Sequence, residues 1–405
     1  MKKQIIPVLL GADLNAYSVA RAFHEAFGVK SFAFGKYKLG ATSMSSIVKF
    51  TVVKNLSDDK KTVEMLLNFA KKQRNAELYL FGCTDEYAEM IIRNREALAE
   101  YYFCHCIGER LAELLQSKDS FYNICDKFGI PHPKTVIFSS FSDYSLLFGD
   151  IGFNYPIIIK PSRSSLYWKN PFPNMKKVYS AKTPSEAKKI LVDIYSSGYD
   201  STVILQDTIP GDDSRMYVLT CYSGSDGKVK RACLGHVLLE EHTPKGLGNH
   251  VAVITEQHPE ITDVLCNFLD DIGYVGFSNF DIKFDERDNK FKVFEINLRQ
   301  GRSNYYVTAA GQNVAESVVF DRKGALPDER EICEKKIFWH TVPKKIVYKY
   351  IKGTKAEKDV LSMENTPAES STLFYKPDMK NPLRSFYIYA HNIKYFSKYK
   401  KYPQR

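Results

Sequence analysis

The chain has 405 residues, 44% of them hydrophobic and 26% charged, which predicts two or three ordinary globular domains and excludes extensive disorder. Its formal net charge is +10, but from Lys376 to Arg405 eight Lys or Arg stand against one Asp, so the rest of the chain carries only about +3 and does not read as a nucleic-acid-binding body. No apolar stretch reaches the roughly 18 residues of a spanning helix, and the N-terminal apolar run is too short for a signal peptide, so a cytoplasmic protein is expected.

Residues 5–10 read as a buried strand ending at Gly11-Ala-Asp13, and residues 14–27 have helical apolar spacing. Residues 31–34 and 77–81 read as further strands; residues 62–72 and 86–101 read as helices. Strands alternating with helices predict a parallel α/β domain over residues 1–116. The eight cysteines include no CxxC pair, and Cys104-His105-Cys106 is spaced too tightly for an ordinary zinc site, so free thiols are expected.

From Ser117 the texture changes. Ser117-Lys-Asp-Ser opens a helix that stops at Gly129-Ile-Pro, residues 155–160 form an apolar strand ending in Lys160, residues 184–196 a helix, and residues 203–206 a strand. Strand-like runs at 216–222, 231–239 and 251–256 precede a helix at 260–272 and two strands around Asp281 and Glu295. Residues 117–325 therefore read as α+β with a large antiparallel component. Residues 326–405 form a third segment rich in Lys, Tyr and Phe.

The segments Gly276-Phe-Ser-Asn-Phe-Asp-Ile-Lys-Phe-Asp285 and Lys290-Phe-Lys-Val-Phe-Glu-Ile-Asn-Leu-Arg-Gln-Gly-Arg302 carry the most chemistry. Each alternates, and a hairpin closing near Asp288 faces Phe280 with Ile296, Ile282 with Phe294, and Asp281 with Glu295. Opposed carboxylates repel unless a cation lies between them. Asp281, Glu295 and Asn297 supply the hard oxygens that suit Mg²⁺ bound with nucleotide phosphates. The plainer alternative is a solvated edge hairpin.

Lys160 ends an apolar strand, where an ammonium is costly to bury unless it meets an anion such as phosphate. Lys118, at a helix start, could reach the same nucleotide or simply be an N-terminal helix residue. Gln206-Asp-Thr-Ile-Pro-Gly-Asp-Asp-Ser-Arg215 follows a buried strand; its backbone can meet an adenine edge, its carboxylates (Asp207 and Asp213 among them) ribose hydroxyls, and Arg215 a phosphate or carboxylate. Locally, a polar turn explains it equally well. There is no GxxxxGK[ST] motif, and no GxGxxG follows the first strand, which argues against P-loop and dinucleotide-binding chemistry.

In order and spacing, Lys118, Lys160, residues 206–211, Asp281, Glu295, Asn297 and Arg299 resemble the ATP-grasp signature, with Glu295-Ile-Asn-Leu-Arg299 as its Glu-x-Asn-x-Arg strand. Pro7-Val-Leu-Leu-Gly11, Tyr87-Ala-Glu-Met90, Ile209-Pro-Gly-Asp-Asp-Ser-Arg-Met216, Cys233-Leu-Gly-His236 and the run from Glu295 to Ser303 are similar to the D-aspartate ligases, over about residues 4–321. The resemblance implies an ATP-grasp fold: an N-terminal parallel α/β domain, then two α+β lobes with ATP between them. It implies phosphate contacts from Lys118 and Lys160, an adenine hinge at Gln206 and Ile209, Mg²⁺ on Asp281, Glu295 and Asn297, and a phosphoryl-steadying role for Arg299. Many relatives carry Glu where this chain has Gln206.

The implied chemistry joins a small carboxylate donor, D-aspartate through its β-carboxylate, to a lysine amine of a peptidoglycan precursor. A second carboxylate on the donor needs a fixed cation, and Arg215, Arg299 and Arg302, with Ser303, are expected around that site, Arg302 on the non-reacting carboxylate. Another amino-acid donor, or a nucleotide-binding protein without ligase activity, remain as alternatives. The Tyr/Lys-rich end reads either as a weak membrane-surface contact or as a helix that is solvated or covers the domain.

Overall fold

The apolar run at the N-terminus forms β1 (Gln4–Leu10), which ends at Gly11, a position where a side chain would strike Cys83. The following helix, Leu14–Phe27, starts where Asp13 accepts the backbone N–H of Asn15 and Ala16 and stops at left-handed Gly28. Further strands β2 (Ser31–Gly35), β3 (Val48–Val52), β4 (Ala76–Gly82) and β5 (Tyr102–Phe103) complete the expected parallel sheet in the order β3-β2-β1-β4-β5. Residues 86–101 are not one helix. Asn94 bonds the carbonyl of Met90 with its own side chain and leaves helical geometry, dividing Asp85–Arg93 from Arg95–Ala99.

A second sheet contains β6 (Thr135–Phe138), β7 (Ile157–Pro161), β8 (Tyr179–Ala181) and β9 (Val203–Asp207), all antiparallel, in the order β6-β9-β7-β8. The helix Pro184–Ser196 buries Ala187, Leu191 and Ile194 in the same core as Phe138, Ile157, Ile159 and Leu205. The third sheet is built from β10 (Met216–Ser223), β11 (Val229–Glu240), β12 (His250–Thr255), β13 (Gly276–Asp285), β14 (Lys290–Asn297), β15 (Glu331–Ile332), β16 (Phe338–His340) and β17 (Glu369–Ser371). Its order is β14-β13-β10-β11-β12-β16-β17, with β15 beside β11.

The computed structural model describes residues 3–73, 75–244 and 246–403. They divide into two compact units: residues 1–109, 213–280 and 297–405, and residues 110–212 with 281–296. This division departs from boundaries near 116 and 326. The largest core of the first unit joins Tyr17 and Phe23 of the first helix with Tyr306, Tyr222 of β10 and Trp339 of β16. Residues 326–405 belong to it because β15 pairs with β11, β16 with β12 and β17 with β16. The second unit takes in the second half of β13 and β14 up to Ile296, a hairpin whose turn closes at left-handed Asn289.

Candidate active site

In the second unit the site is built around Lys160. At the end of β7 it pairs with Ile204 of β9, one residue past the β7–β8 ladder, and its ammonium is buried. It donates to Tyr122 Oη at 2.9 Å and lies 5.4 Å and 5.6 Å from the ring centroids of Tyr122 and Phe294. The Tyr122 hydroxyl donates in turn to the Phe294 carbonyl at 2.8 Å. Burial pulls the Lys160 pKa down to about 7; repulsion from Lys118 and Lys177 adds to this and the charge of Glu295 opposes it.

Lys118 opens the helix Lys118–Phe128 and places Nζ 3.0 Å from Glu295 Oε2. Lys118 above all, then Lys177 and Lys160, hold the Glu295 carboxyl well below the usual carboxylate range against the effect of burial. On β13 and β14, Phe280, Ile282 and Ile296 are buried while Asp281, Glu295 and Asn297 are partly exposed, as the alternation requires. Val293 departs from this pattern: it shares the strand face of Glu295 yet is buried, its N–H donating to the Pro131 carbonyl at 2.8 Å.

Gln206 is buried and donates to Thr135 Oγ1 at 2.9 Å. Both oxygens of Asp207 are gripped by Arg287, at 3.2 Å and 2.6 Å. The Ile209 carbonyl accepts from Lys283 Nζ at 3.0 Å, and the same ammonium meets the Gly211 carbonyl at 2.7 Å. The hairpin tip thus holds the turn after β9 in place. Its anchor is Asp285, fully buried and bonded to Arg287 and Lys292. The stretch from Gln206 to Arg215 is shared between the units: Asp213 lies in the first, its Oδ2 accepting the Glu240 N–H at 3.1 Å and lying 3.0 Å from His242 Nε2. Arg215, in the same short 3-10 turn, is half-buried and its charge acts on Tyr217.

In the first unit three loops meet: Gly11–Asp13 after β1, Cys83–Asp85 after β4, and residues 298–304 after β14. A buried amide network ties them together. Asn15 donates to the carbonyls of Cys83 at 3.0 Å and Gln300 at 3.2 Å, and Asn304 donates to Asn15 Oδ1 at 2.8 Å. The strands stay parallel, but the chain builds outward in one direction from β1 to β3 and in the other from β4 to β5; the strand ends at such a switch are where open α/β sheets receive ligands. Arg299 Nε pairs with Asp85 Oδ1 at 2.7 Å, and Arg302 Nε lies 3.8 Å from Asp13 Oδ2. Burial raises the Asp13 pKa, while Arg302 and the capped amides of Ala16 and Asn15 counter it. Asn297 donates to the Asn279 carbonyl at 3.3 Å, and Ser303 is buried, its carbonyl accepting the N–H of Tyr306.

Several participants escape a reading of the sequence. Tyr122 and Lys177 have no motif. Asp13 is visible only as the end of the turn that follows the first strand. Tyr387 and Tyr395, from the last helix, lie near enough to Arg302 for its charge to act on their phenols. His105 is taken up by the Tyr222 hydroxyl at 2.7 Å and by Asp321, and all eight cysteines are unpaired.

No family model matches the chain. A D-aspartate ligase of Enterococcus faecium (strain Aus0004) is 37% identical over 411 residues, covering 98% of this chain and 97% of the relative. Among solved structures, the L-amino acid ligase of Bacillus licheniformis superposes with a TM-score of 0.54 at 13% identity, over 82% of this chain and 76% of that one. The biotin carboxylase domain of the Hydrogenobacter thermophilus 2-oxoglutarate carboxylase, solved with MgADP, ADP and bicarbonate, gives 0.58 at 13% identity, over 80% and 71%. At such identity these two speak for the fold alone, whereas the full-length relative speaks for the family. This chain belongs to the D-aspartate ligase family of ATP-grasp enzymes and is an ATP-dependent carboxylate–amine ligase.

Proposed function

We propose that the chain activates the β-carboxylate of D-aspartate with ATP and transfers it to a lysine side-chain amine of a peptidoglycan precursor peptide, in the cytoplasm. The observation that carries this reading is the end-to-end similarity to a D-aspartate ligase. No described helix is long and apolar enough to cross a membrane.

A free carboxylate is a poor electrophile because its leaving group would be oxide. Its oxygen attacks the γ-phosphorus of ATP, ADP departs, and an acyl phosphate results. The amine then attacks the carbonyl carbon, phosphate leaves with the C–O bond electrons, and the ammonium loses a proton to give the amide. This work is positioning and charge neutralisation.

The second unit's residues fit a polyanion: one carboxylate, Glu295, feels three lysines, and burial lowers the Lys160 pKa to about 7, a cost that a bound anion would offset. Lys118 and Lys160 are assigned to the phosphates, Gln206 and Ile209 to adenine, Asp207 and Asp213 to the ribose side. The donor set Asp281, Glu295 and Asn297 offers only oxygen to a cation, which fits magnesium, and Glu295 is ionised as a ligand must be. Magnesium held there would neutralise phosphate charge. Arg299 and Arg215 are assigned to the transferring phosphoryl group, and Arg302, with Ser303, to the carboxylate of aspartate that does not react.

The test is ADP release across D- and L-amino acids, with and without a nucleotide-linked muropeptide. Dependence on D-aspartate and the muropeptide supports the reading; equal turnover with another amino acid reassigns the donor.

A further inference from the structure

The last helix, Pro382–Lys401, has two unlike faces. The inward face is anchored. Arg384 is fully buried, donates to the Ala41 carbonyl at 2.7 Å and faces Asp378; Tyr395 donates to Glu241 Oε2 at 2.8 Å, and Tyr399 bonds the Glu240 carbonyl. This face covers the domain, as one of the two readings of the tail expects.

The outward face carries Leu383, Phe386, Tyr389, Ile393 and Phe396, which are 58%, 65%, 66%, 52% and 46% exposed. Steps of three and four residues align them in one stripe along the helix, about 20 Å long at 1.5 Å per residue. A stripe of five large apolar side chains is more than scattered surface residues explain.

Along this segment the exposed charge is of one sign. Among the described residues from Lys376 onward, Lys376, Lys380, Lys394, Lys400 and Lys401 are exposed, and the single acid, Asp378, is buried under bonds from Tyr17 and Ser46. A second copy of the chain seated on this face would bring lysines against lysines. Anionic lipid headgroups would instead neutralise them while the acyl boundary receives the stripe. The helix is too polar to span a bilayer, which leaves it lying in the interface.

We propose that the outward face of the helix Pro382–Lys401 docks the enzyme flat on an anionic bilayer surface, with Leu383, Phe386, Tyr389, Ile393 and Phe396 in the acyl boundary and the exposed lysines on the headgroups. The inference goes beyond the ligase reading and does not rest on it.

The full chain is sedimented with vesicles of phosphatidylcholine alone or of phosphatidylcholine and phosphatidylglycerol. Binding is expected to be at least about tenfold tighter to the anionic vesicles and to weaken as salt rises. The double variant Phe386→Ser/Ile393→Ser and the triple variant Lys394→Gln/Lys400→Gln/Lys401→Gln should each lose about tenfold in vesicle binding with ADP release unchanged, since these side chains point away from the domain. Equal binding to both vesicle types, no binding to either, or binding indifferent to the variants overturns the proposal. So does a concentration-dependent dimer dissolved by Phe386→Ser/Ile393→Ser, which would give the face to a second copy.

Discussion

The two units handle charge differently. In the second, Glu295 is surrounded by Lys118, Lys160 and Lys177, and one of those lysines is buried deeply enough to have its pKa lowered to about 7. In the first, the two arginines that follow β14 each face an acid: Arg299 with Asp85, Arg302 with Asp13. An excess of ammonium groups is costly until a polyanion comes. Balanced arginine–aspartate pairs are suited to a ligand that carries both signs, because a carboxylate can take the guanidinium and an ammonium the freed aspartate. The contrast marks the lysine-rich region as the one proposed for the nucleotide phosphates and the surroundings of Arg302 as those proposed for the amino acid, and substitutions can break it.

The largest effect is expected in the lysine-rich region. Lys160→Ala and Glu295→Ala should each lower ligation by at least about 100-fold at saturating ATP and magnesium. Lys160→Ala should not melt earlier than the parent, because it removes an ammonium buried at a cost. Turnover near that of the parent in either variant, measured as ADP release, would remove that residue from the phosphate or metal site.

The next effect belongs to the arginine region. Arg302→Lys keeps the charge but loses the planar fork, and should raise the donor KM by about 30–150-fold, equivalent to about 2–3 kcal/mol, while leaving the ATP KM alone. A donor KM within about threefold of the parent, or a rise confined to ATP, would contradict the division of labour.

A smaller change is expected for Tyr122→Phe. It removes the acceptor of Lys160 and the donor to the Phe294 carbonyl while keeping the ring. A loss of about 1 kcal/mol, or roughly fivefold in ATP KM with an unchanged donor KM, is expected. Equal shifts for both substrates would show a general loosening instead.

The last prediction concerns protons. The folded Lys160 pKa of about 7 lies below the ordinary 10.5. Between those values the unfolded chain binds more protons, so this group's burial penalty is felt in full below about 7 and fades as pH rises. ATP phosphates should recharge the amine, so nucleotide binding at about pH 8 should take up close to one proton, seen by calorimetry in buffers of different ionisation enthalpy. Uptake that persists in Lys160→Met would assign it to another group.

The readable parts of the sequence share a cause. The helices Leu14–Phe27 and Pro184–Ser196 match their expected limits because apolar spacing, a capping Asp or Thr, and a stop signal all act within a few residues. The hairpin carrying Asp281 and Glu295 was equally legible, since period-two alternation on both strands names the exposed face. No expectation covered Val48–Val52, although its Val-Lys-Phe-Thr-Val alternates. Nor did any cover β15, β16 and β17, which are two or three residues each, too short for periodicity, and exist as strands only because β11, β12 and β16 offer them edges.

By itself, the sequence determined the family, the alternation that exposes the carboxylates, and the lysine at the end of an apolar strand, because motifs and periodicity are short-range properties. Only the tertiary structure decided which charges meet. Lys177 bears on Glu295 across more than a hundred residues of chain, Asp13 faces Arg302 from the opposite end of the molecule's sequence, and Tyr395 comes near Arg302 through a helix that composition alone left either solvated or covering. Electrostatic interaction falls with distance in space and depends on local burial, neither of which is written in the order of residues.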